Sequence, residues 1–197
     1  MKLLFATRNP GKVRELQALA SGLEVVSLND LPGNPDVQET EETLAANAKL
    51  KAVAAASASA LWALADDSGL FVDALGGAPG VHSKRFAEGD DGARIAKLLR
   101  AMDRVPDGKR GAVFRCVLAL SSPKGEVTLA EGECRGEVLR TARGSGGFGY
   151  DPVLLLPELG RTMAELTVEE KGRLSHRARA FERMRPALAD LARRWSS

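Results

Sequence analysis

The amino-acid sequence predicts an α/β protein with a mixed sheet, and two patterns along the chain lead to that prediction. In the N-terminal third, short apolar runs alternate with segments of helical periodicity, which is typical of βαβ units and parallel strands. Further along, two strand-like runs flank the turn sequence SPKG at residues 122–125, which indicates an antiparallel hairpin. A chain of 197 residues, 44% of them hydrophobic, can bury an ordinary core, so we expect a single domain spanning residues 1–197.

The individual elements follow from apolar periodicity and from residues that begin or end helices and turns. Pro10 favours the first turn of a helix, and Thr167 with Glu170 matches the T-x-x-E pattern of a helix N-terminus. Pro186 should kink or restart the C-terminal helical region, whose apolar stripe (residues 174–195) we expect in the core or on a dimer surface. The predicted elements are strand 3–7, helix 12–21, strand 23–28, helix 43–59, strand 61–65, helix 93–102, strands 112–121 and 126–134, strand 153–156, and one or two C-terminal helices.

The charge balance and the cysteines argue against several classes of function. The formal net charge of +2 is too small for bulk attraction to nucleic acid or acidic membranes, so we expect neither as a partner. Cys116 and Cys134 show neither CxxC nor zinc-site spacing and are predicted to be buried thiols in a reducing cytosol. Because only a few apolar residues precede Thr7, we expect no signal peptide or membrane span, and a cytoplasmic protein.

A polar cluster, TRNPGK at residues 7–12, lies between the first predicted strand and the first predicted helix. Backbone N–H groups and the helix dipole make a helix N-terminus a natural seat for an anion, and Arg8 and Lys12 add positive charge. The cluster is not a Walker A loop, because Ala6 and Val13 stand where that motif has Gly and Ser or Thr. The cluster therefore indicates a phosphate site, with an ordinary strand-to-helix turn as the alternative.

Two adjacent acids, Asp66 and Asp67, end a hydrophobic run that is predicted to be a strand. Ligands of open α/β sheets gather at the carboxyl ends of strands, and acids beside a basic loop suggest a metal ion and a phosphate. Mg²⁺ prefers carboxylate and phosphate oxygens, and Glu39 could supply another carboxylate. Lys51 shares a helix face with Asn47 and could reach a phosphate, or could be an ordinary solvated lysine. The alternative for the two Asp residues is an Asx-turn that leaves the strand.

A glycine loop, RGSGGFGYDP at residues 143–152, surrounds two aromatic side chains with glycines. Glycine allows the close approach of a ligand, and Phe148 and Tyr150 could stack on a nucleobase. The alternative is a tight turn held by a buried Phe. Further on, Ser175 and His176 could suggest a hydrolase triad, but the sequence has no G-x-S-x-G elbow and adjacent residues give such a triad poor geometry.

The chain resembles the inosine/xanthosine triphosphate pyrophosphatase family in six segments that occur in the family's order: ATRNPGK, ETEETLAANAKLKA, ADDSGLFVDALGGAPGV, FRCVLAL, GGFGYDP and MAELTVEEKGRLSHR. Enzymes of that family clear deaminated purine nucleotides from the nucleotide pools. The resemblance implies an elongated mixed sheet whose helices form two lobes around a central nucleotide cleft, and a homodimer. It also implies Mg²⁺-dependent hydrolysis of ITP, dITP and XTP to the monophosphate and pyrophosphate.

The resemblance also assigns roles to residues of this chain. Glu39 and Asp67 would hold Mg²⁺, with Asp67 also the general base. Glu41 and Glu42 stay open as alternatives to Glu39, which is preferred because it alone keeps the family's spacing of eight residues to Asn47. The residues assigned to the phosphates and the substrate are Thr7, Arg8, Asn9, Pro10, Gly11, Lys12, Lys51 and Ser68. The residues assigned to the aromatic loop and to base recognition are Phe148, Gly149, Tyr150, Asp151, Lys171, His176 and Arg177.

Two other classes of function compete with an enzyme of this kind. A non-catalytic nucleotide-sensing module on the same scaffold would bind a nucleoside triphosphate without releasing pyrophosphate. An RNA-binding protein that used the C-terminal arginines would show a steep salt dependence and no magnesium requirement. Product analysis with ITP and XTP separates all three.

Overall fold

The computed structural model describes residues 2–20, 22–31, 33 and 37–195. Within these residues the strands, in chain order, are β1 (Lys2–Phe5), β2 (Glu24–Ser27), β3 (Trp62–Val72), β4 (Gly111–Ser121), β5 (Val127–Val138), β6 (Leu154–Leu156) and β7 (Arg161–Thr162). They form one sheet in the order β2-β1-β3-β4-β5-β6-β7. β1 is parallel to β2 and β3, whereas β6 is antiparallel to β5 and β7. The sheet is therefore mixed, as the sequence predicted.

Helices connect the strands and end the described chain. They are α1 (Pro10–Leu19), α2 (Leu44–Ser59), α3 (Asp91–Ala101), α4 (Val168–Leu174) and α5 (His176–Trp195), with short 3₁₀ helices at Asp73–Leu75, Gly80–Arg85, Asp151–Val153 and Met163–Glu165. The predicted start signals act as expected, since Pro10 is the first residue of α1 and Thr167 forms a capping box with Glu170 at the start of α4. Thr43 also caps α2. The predicted hairpin is also present, because the Ser122 N–H donates to the Glu126 carbonyl at 2.9 Å.

Contacts within the chain define two compact units, each assembled from separate segments. Unit 1 comprises residues 1–67, 116–132 and 177–197, and unit 2 comprises residues 68–115 and 133–176. Each unit has its own apolar core. That of unit 1 includes Phe5, Leu118 and Phe181, and that of unit 2 includes Leu98 and Tyr150.

Both cysteines are buried, as the sequence predicted. Cys116 belongs to the core of unit 1 and Cys134 to the core of unit 2. Burial raises the pKa of the Cys116 thiol to about 12. At neutral pH this thiol is therefore protonated and a poor nucleophile.

Strand β3 is longer than the sequence predicted, because it continues through the two acids to Val72 instead of ending before them. Asp66 and Asp67 are both buried, and both lie against lysine side chains that compensate their charge. In an extended strand neighbouring side chains point to opposite faces, so the two carboxylates serve different clusters. The Asx-turn that we considered for them is not formed.

The C-terminal helix α5 runs from His176 to Trp195 with Pro186 inside it, so of the two effects expected of this proline the restart does not occur. The apolar stripe of α5 explains this continuity. Phe181, Met184 and Leu188 are buried in the core of unit 1 on both sides of the proline. Packing of this face outweighs the hydrogen bond that proline removes. Of the two interpretations of the stripe, core packing is the one the described side chains adopt.

Candidate active site

The TRNPGK segment forms the N-terminus of α1 and is fixed by its own side chains. The Asn9 side chain caps the helix by accepting the N–H groups of Gly11 at 2.8 Å and Lys12 at 3.2 Å. Thr7 accepts the Asn9 N–H at 3.2 Å, and Pro10 occupies the first helical position. Two backbone donors of the expected anion seat are thus bonded to Asn9. Anion binding at this segment would rely more on its cationic side chains than on those two amides.

The two cations of the segment have different surroundings. Arg8 is exposed and donates to the Leu28 carbonyl at 2.9 Å. The Lys12 ammonium lies 3.0 Å from the Asp66 carboxylate, and only 15% of the Lys12 side chain is exposed. Lys12 is therefore not the solvated lysine of an ordinary turn.

Asp66 is the centre of a buried charge cluster in unit 1. Its second oxygen accepts from Arg177 at 2.9 Å, and Arg177 also pairs with Glu15. Burial alone would raise the pKa of Asp66, but the charges of Lys12, Arg177 and Lys51 outweigh burial and hold its pKa well below the usual range. The same pairing raises the pKa of Arg177 against the opposing effect of burial. Asp66 and Arg177 are therefore both charged at neutral pH.

A second cluster in unit 1 joins two carboxylates through one lysine. The Lys51 ammonium lies 2.7 Å from Glu39 and 3.5 Å from Asp67. Burial raises the pKa of Asp67. The charge of Glu39 raises this pKa further, whereas the charge of Lys51 lowers it. Burial would lower the pKa of Lys51, but Asp67, Asp66 and Glu39 together raise it. Lys51 is therefore a charged and mostly buried partner of both carboxylates and not a solvated helix lysine.

The loop that carries Glu39 is tied to α2 by the buried side chain of Asn47. The Asn47 amide accepts the Glu41 N–H at 3.0 Å and donates to the Glu41 carbonyl at 3.1 Å. The side chains of Glu41 and Glu42 are exposed, whereas Glu39 reaches Lys51. Among the three acids, these contacts favour Glu39 as the one that acts with Asp67.

The donor set around Lys51 fits a small hard cation. Glu39 and Asp67 both place an oxygen close to one positive charge, and Mg²⁺ is commonly bound by one or two carboxylates together with phosphates and water. Among the described residues, no group of three or more His, Cys, Asp or Glu side chains is gathered as a metal site. Mg²⁺ held by these two carboxylates would leave positions for phosphate oxygens and water.

The aromatic loop (residues 148–151) lies in unit 2 and is organised by Asp151. One oxygen of Asp151 accepts the Phe148 N–H at 3.0 Å and the Lys171 ammonium at 2.7 Å. Lys171 also lies 5.4 Å from the centre of the Phe148 ring, so it contacts the loop twice. The buried Tyr150 hydroxyl donates to the Ser83 carbonyl at 2.9 Å, and burial raises its pKa to about 12. Tyr150 thus pins the loop, whereas Phe148 is only partly buried.

The remaining predicted residues are distributed over both units. Ser68 follows Asp67 within β3 and begins unit 2. The His176 ring stacks on Phe114 in unit 2, with ring centres 4.7 Å apart. Arg177, the next residue, is counted in unit 1 and is 1% exposed at its side chain. The contacts described for Lys171, His176 and Arg177 therefore share no common partner.

Sequence reasoning gave no role to three residues that these clusters use. Glu15 lies three positions after Lys12 on α1, so helical spacing could have placed it beside the first cluster. Ser83 and Asp91 support the aromatic loop from 67 and 58 residues away, and no local pattern indicates either contact.

The fold and these clusters define an α/β protein in which two buried carboxylates of strand β3 pair with lysines. A separate loop in unit 2 carries two aromatic residues among glycines. The chain belongs to the Ham1 family, whose model matches residues 3–187. It is similar to the dITP/XTP pyrophosphatase of Geobacillus kaustophilus, with 52% identity over 187 residues that cover 93% of this chain and 92% of that protein. The dITP/XTP pyrophosphatase of Desulforamulus reducens is 51% identical over 187 residues, 93% of each chain.

A solved structure supports the same conclusion. The structure of a HAM1 protein from Coxiella burnetii matches with a TM-score of 0.86 and 39% identity, covering 96% of this chain and 99% of that chain. The family resemblance and the mixed α/β fold predicted from the sequence are both confirmed. None of the helices in the described part of the chain combines the length and apolar character that crossing a membrane requires.

Proposed function

We propose that this protein is a Mg²⁺-dependent pyrophosphatase of deaminated purine nucleoside triphosphates, with ITP, dITP and XTP as substrates. Membership of the Ham1 family and the names of its relatives support an enzyme that hydrolyses an acid anhydride. The structural observation that carries the proposal is the cluster in which Lys51 joins Glu39 and Asp67. Carboxylates and a lysine in this arrangement suit a triphosphate and its metal ion.

The reaction we propose is attack of water on the α-phosphorus of the triphosphate. The new bond joins the water oxygen to the α-phosphorus, and the bond between that phosphorus and the bridging oxygen to the β-phosphate breaks. Asp67 accepts the proton of the attacking water, a role that suits a carboxylate whose pKa is raised by burial. The products are a nucleoside monophosphate and pyrophosphate.

Lysines of unit 1 hold the phosphates in this proposal. Lys12 and Lys51 place positive charge beside Asp66 and Asp67, and the segment from Thr7 to Lys12 carries Arg8 and the capped start of α1. Mg²⁺ bound by Glu39 and Asp67 would neutralise charge on the phosphate oxygens. Ser68, next to Asp67 in the chain, is proposed as a further substrate contact.

The aromatic loop and the residues assigned to base recognition select the base in this proposal. The half-buried Phe148 ring offers a stacking surface, and Lys171 beside it can only donate hydrogen bonds. With His176 and Arg177 as further donors, these groups match the 6-oxo group of hypoxanthine and xanthine. Adenine presents a 6-amino donor instead, and unpaired buried donors can lower kcat/KM by about 10⁴-fold.

The biological role we propose is removal of deaminated purine nucleotides from the nucleotide pool by a cytoplasmic homodimer. The alternative is a nucleotide sensor on the same scaffold. The paired environment of Asp67 favours the enzyme, because a binding module needs no carboxylate with a raised pKa.

Product analysis with purified protein tests the proposed function. With Mg²⁺ present, we expect ITP, dITP and XTP to give the monophosphate and pyrophosphate. The kcat/KM for these three substrates should be far above that for GTP, and the kcat/KM for ATP and pyrimidine triphosphates should be lower than that for GTP. Chelation of the metal should stop turnover. Tight binding of ITP without pyrophosphate release would establish the sensor, and direct release of orthophosphate would overturn attack at the α-phosphorus.

A further inference from the structure

The aromatic loop is held from outside by residues to which the proposed reaction gives no role. The Gly149 N–H donates to Oδ2 of Asp91 at 2.6 Å, and Asp91 is 58 residues away in the chain. The Tyr150 hydroxyl donates to the Ser83 carbonyl at 2.9 Å. Together with Asp151, which accepts the Phe148 N–H, these contacts fix three consecutive residues of the loop.

A second contact, made within its own helix, also orients the Asp91 carboxylate. Asp91 is the first residue of α3, and its other carboxylate oxygen pairs with Arg94 one helical turn later. Arg94 in turn donates to the Gly89 carbonyl at 2.9 Å. The Asp91 side chain is 43% exposed, so packing does not force it against Gly149. The contact depends on a directed, charge-assisted hydrogen bond.

Gly149 is the residue at which such a bond has most effect on the loop. Its φ of +63° lies in the left-handed region, and the two aromatic residues of the loop, Phe148 and Tyr150, are its chain neighbours. Tyr150 is already fixed through Ser83. The peptide that joins Phe148 to Gly149 carries the N–H bonded to Asp91, so this bond restrains the partly buried Phe148 side of the loop.

We propose that Asp91 is a positioning residue for substrate selection, which holds the Gly149 peptide and through it the Phe148 ring against which the purine base stacks. This inference rests on the proposed function. Hypoxanthine and guanine differ at position 2, where guanine carries an amino group. A loop held at one position discriminates against that extra group, whereas a loop released from Asp91 can move to accommodate it.

The test compares Asp91→Ala with Asp90→Ala in the full-length protein. Asp90 is a matched control, because it caps the same helix by accepting the Ala93 N–H at 2.9 Å but makes no described bond to the loop. For Asp91→Ala we expect KM for ITP to rise about 10-fold and kcat to change by less than about 2-fold, because base positioning is lost and the phosphate chemistry is retained. The ratio of kcat/KM for ITP to that for GTP should fall by about 10-fold. Asp90→Ala should keep both KM and this ratio.

A second readout does not depend on turnover. Amide hydrogen exchange at Gly149 should accelerate in Asp91→Ala and stay slow in Asp90→Ala. Asp91→Asn keeps an oxygen acceptor, so its KM for ITP and its exchange rate at Gly149 should lie between those of the wild type and Asp91→Ala. If the wild type turns over ITP but Asp91→Ala keeps the wild-type KM and the wild-type ratio of kcat/KM for ITP to that for GTP, the positioning role is overturned and the proposed function stands. Equal changes in both alanine variants also overturn it. If the wild type does not hydrolyse ITP, the proposed function fails and this inference fails with it.

Discussion

Asp66 and Asp67 are neighbours in the chain, yet their surroundings shift their pKa values in opposite directions. Asp66 faces Lys12 and Arg177, which stabilise its ionised form. Asp67 lies near Glu39 and contacts Lys51, and burial raises its pKa. Two carboxylates with opposite shifts suit different tasks: one holds cations in place, and the other exchanges a proton.

The task assigned to Asp67 predicts the behaviour of Asp67→Asn. This substitution keeps the shape of the side chain but removes its charge and basicity, so turnover of ITP should fall by at least about 100-fold. Asp103→Asn, at an exposed position of unit 2, is the control and should keep full activity. Steady-state pyrophosphate release measures both variants. Near-normal turnover by Asp67→Asn would remove the general base from the proposed mechanism.

The position of Lys12 predicts a charge-dependent loss of affinity. Lys12→Ala should weaken binding of inosine triphosphate by about 10-fold or more and leave binding of inosine unchanged, because the lost attraction acts only on phosphate. Arg14→Ala removes an exposed cation from the same helix and serves as the control. Isothermal titration calorimetry with both ligands gives the comparison. A variant that binds the triphosphate as tightly as the wild type does would leave Lys12 as a partner of Asp66 alone.

At this scale some contacts of the predicted site residues could be inferred from the sequence and others could not. The spacing of Glu39 from Asn47 selected the acid that in the structure reaches Lys51, and Asn47 does tie that loop to α2. The pairing of Arg177 with Asp66 could not be predicted, because it joins residues 111 positions apart. Such contacts depend on how strands and helices pack and leave no local pattern in the sequence.

Among the structural elements, the glycine loop restricts side-chain size at one of its glycines and not at another. A Cβ at Gly147 would lie 2.0 Å from Oδ2 of Asp151, the oxygen that binds Phe148 and Lys171. A Cβ at Gly149 would meet nothing within 4 Å. Both glycines have left-handed backbones, with φ of +73° and +63°.

These two glycines therefore give a matched pair of substitutions. Gly149→Ala should lower the free energy of unfolding by about 1 kcal/mol, the cost of a left-handed alanine. Gly147→Ala carries the same cost and must also displace Asp151, so we expect about 1 kcal/mol or more of additional destabilisation. Urea denaturation of the two variants and the wild type measures the difference. Equal losses would contradict the close approach of Asp151 to Gly147.

The elements that the sequence predicted well are those with strong local signals. Capping residues, apolar periodicity and the hairpin turn were sufficient for α2, α4 and the β4–β5 connection. The end of β3 was predicted wrongly because adjacent acids are typical of strand ends, and only distant lysines and Arg177 make them tolerable inside a strand. Pro186 did not restart the helix, which was one of its two expected effects, since packing of α5 outweighs a local helix-breaking signal.

For the whole molecule, the opposite pKa shifts predict opposite contributions to stability as pH changes. The lowered pKa of Asp66 means that its stabilising contribution is complete above the unfolded-state pKa of about 3.9 and is lost as pH falls further. The raised pKa of Asp67 means that its contribution is complete below that unfolded value and is lost as pH rises through the folded-state pKa.

Urea unfolding between pH 3 and pH 7, at constant ionic strength, tests these signs with Asp66→Asn and Asp67→Asn. The stability difference between wild type and Asp66→Asn should shrink as pH falls below about 4, by at most about 1.4 kcal/mol per pH unit. Relative to Asp67→Asn, the wild type should instead lose stability as pH rises. Slopes of the same sign for both variants would contradict the opposite shifts.

The division of the chain into interleaved segments has a consequence for its synthesis. The core of unit 1 combines Leu3 and Leu16 with Phe181 and Leu191 of α5, whereas every segment of unit 2 ends by His176. During translation the N-terminal strands therefore leave the ribosome long before the helix that covers their apolar side chains. Unit 2 can complete its own core first, while unit 1 must wait for α5 with that apolar surface uncovered. The nascent chain is thus exposed to aggregation and to chaperone capture over β1 and α1 until α5 has been synthesised.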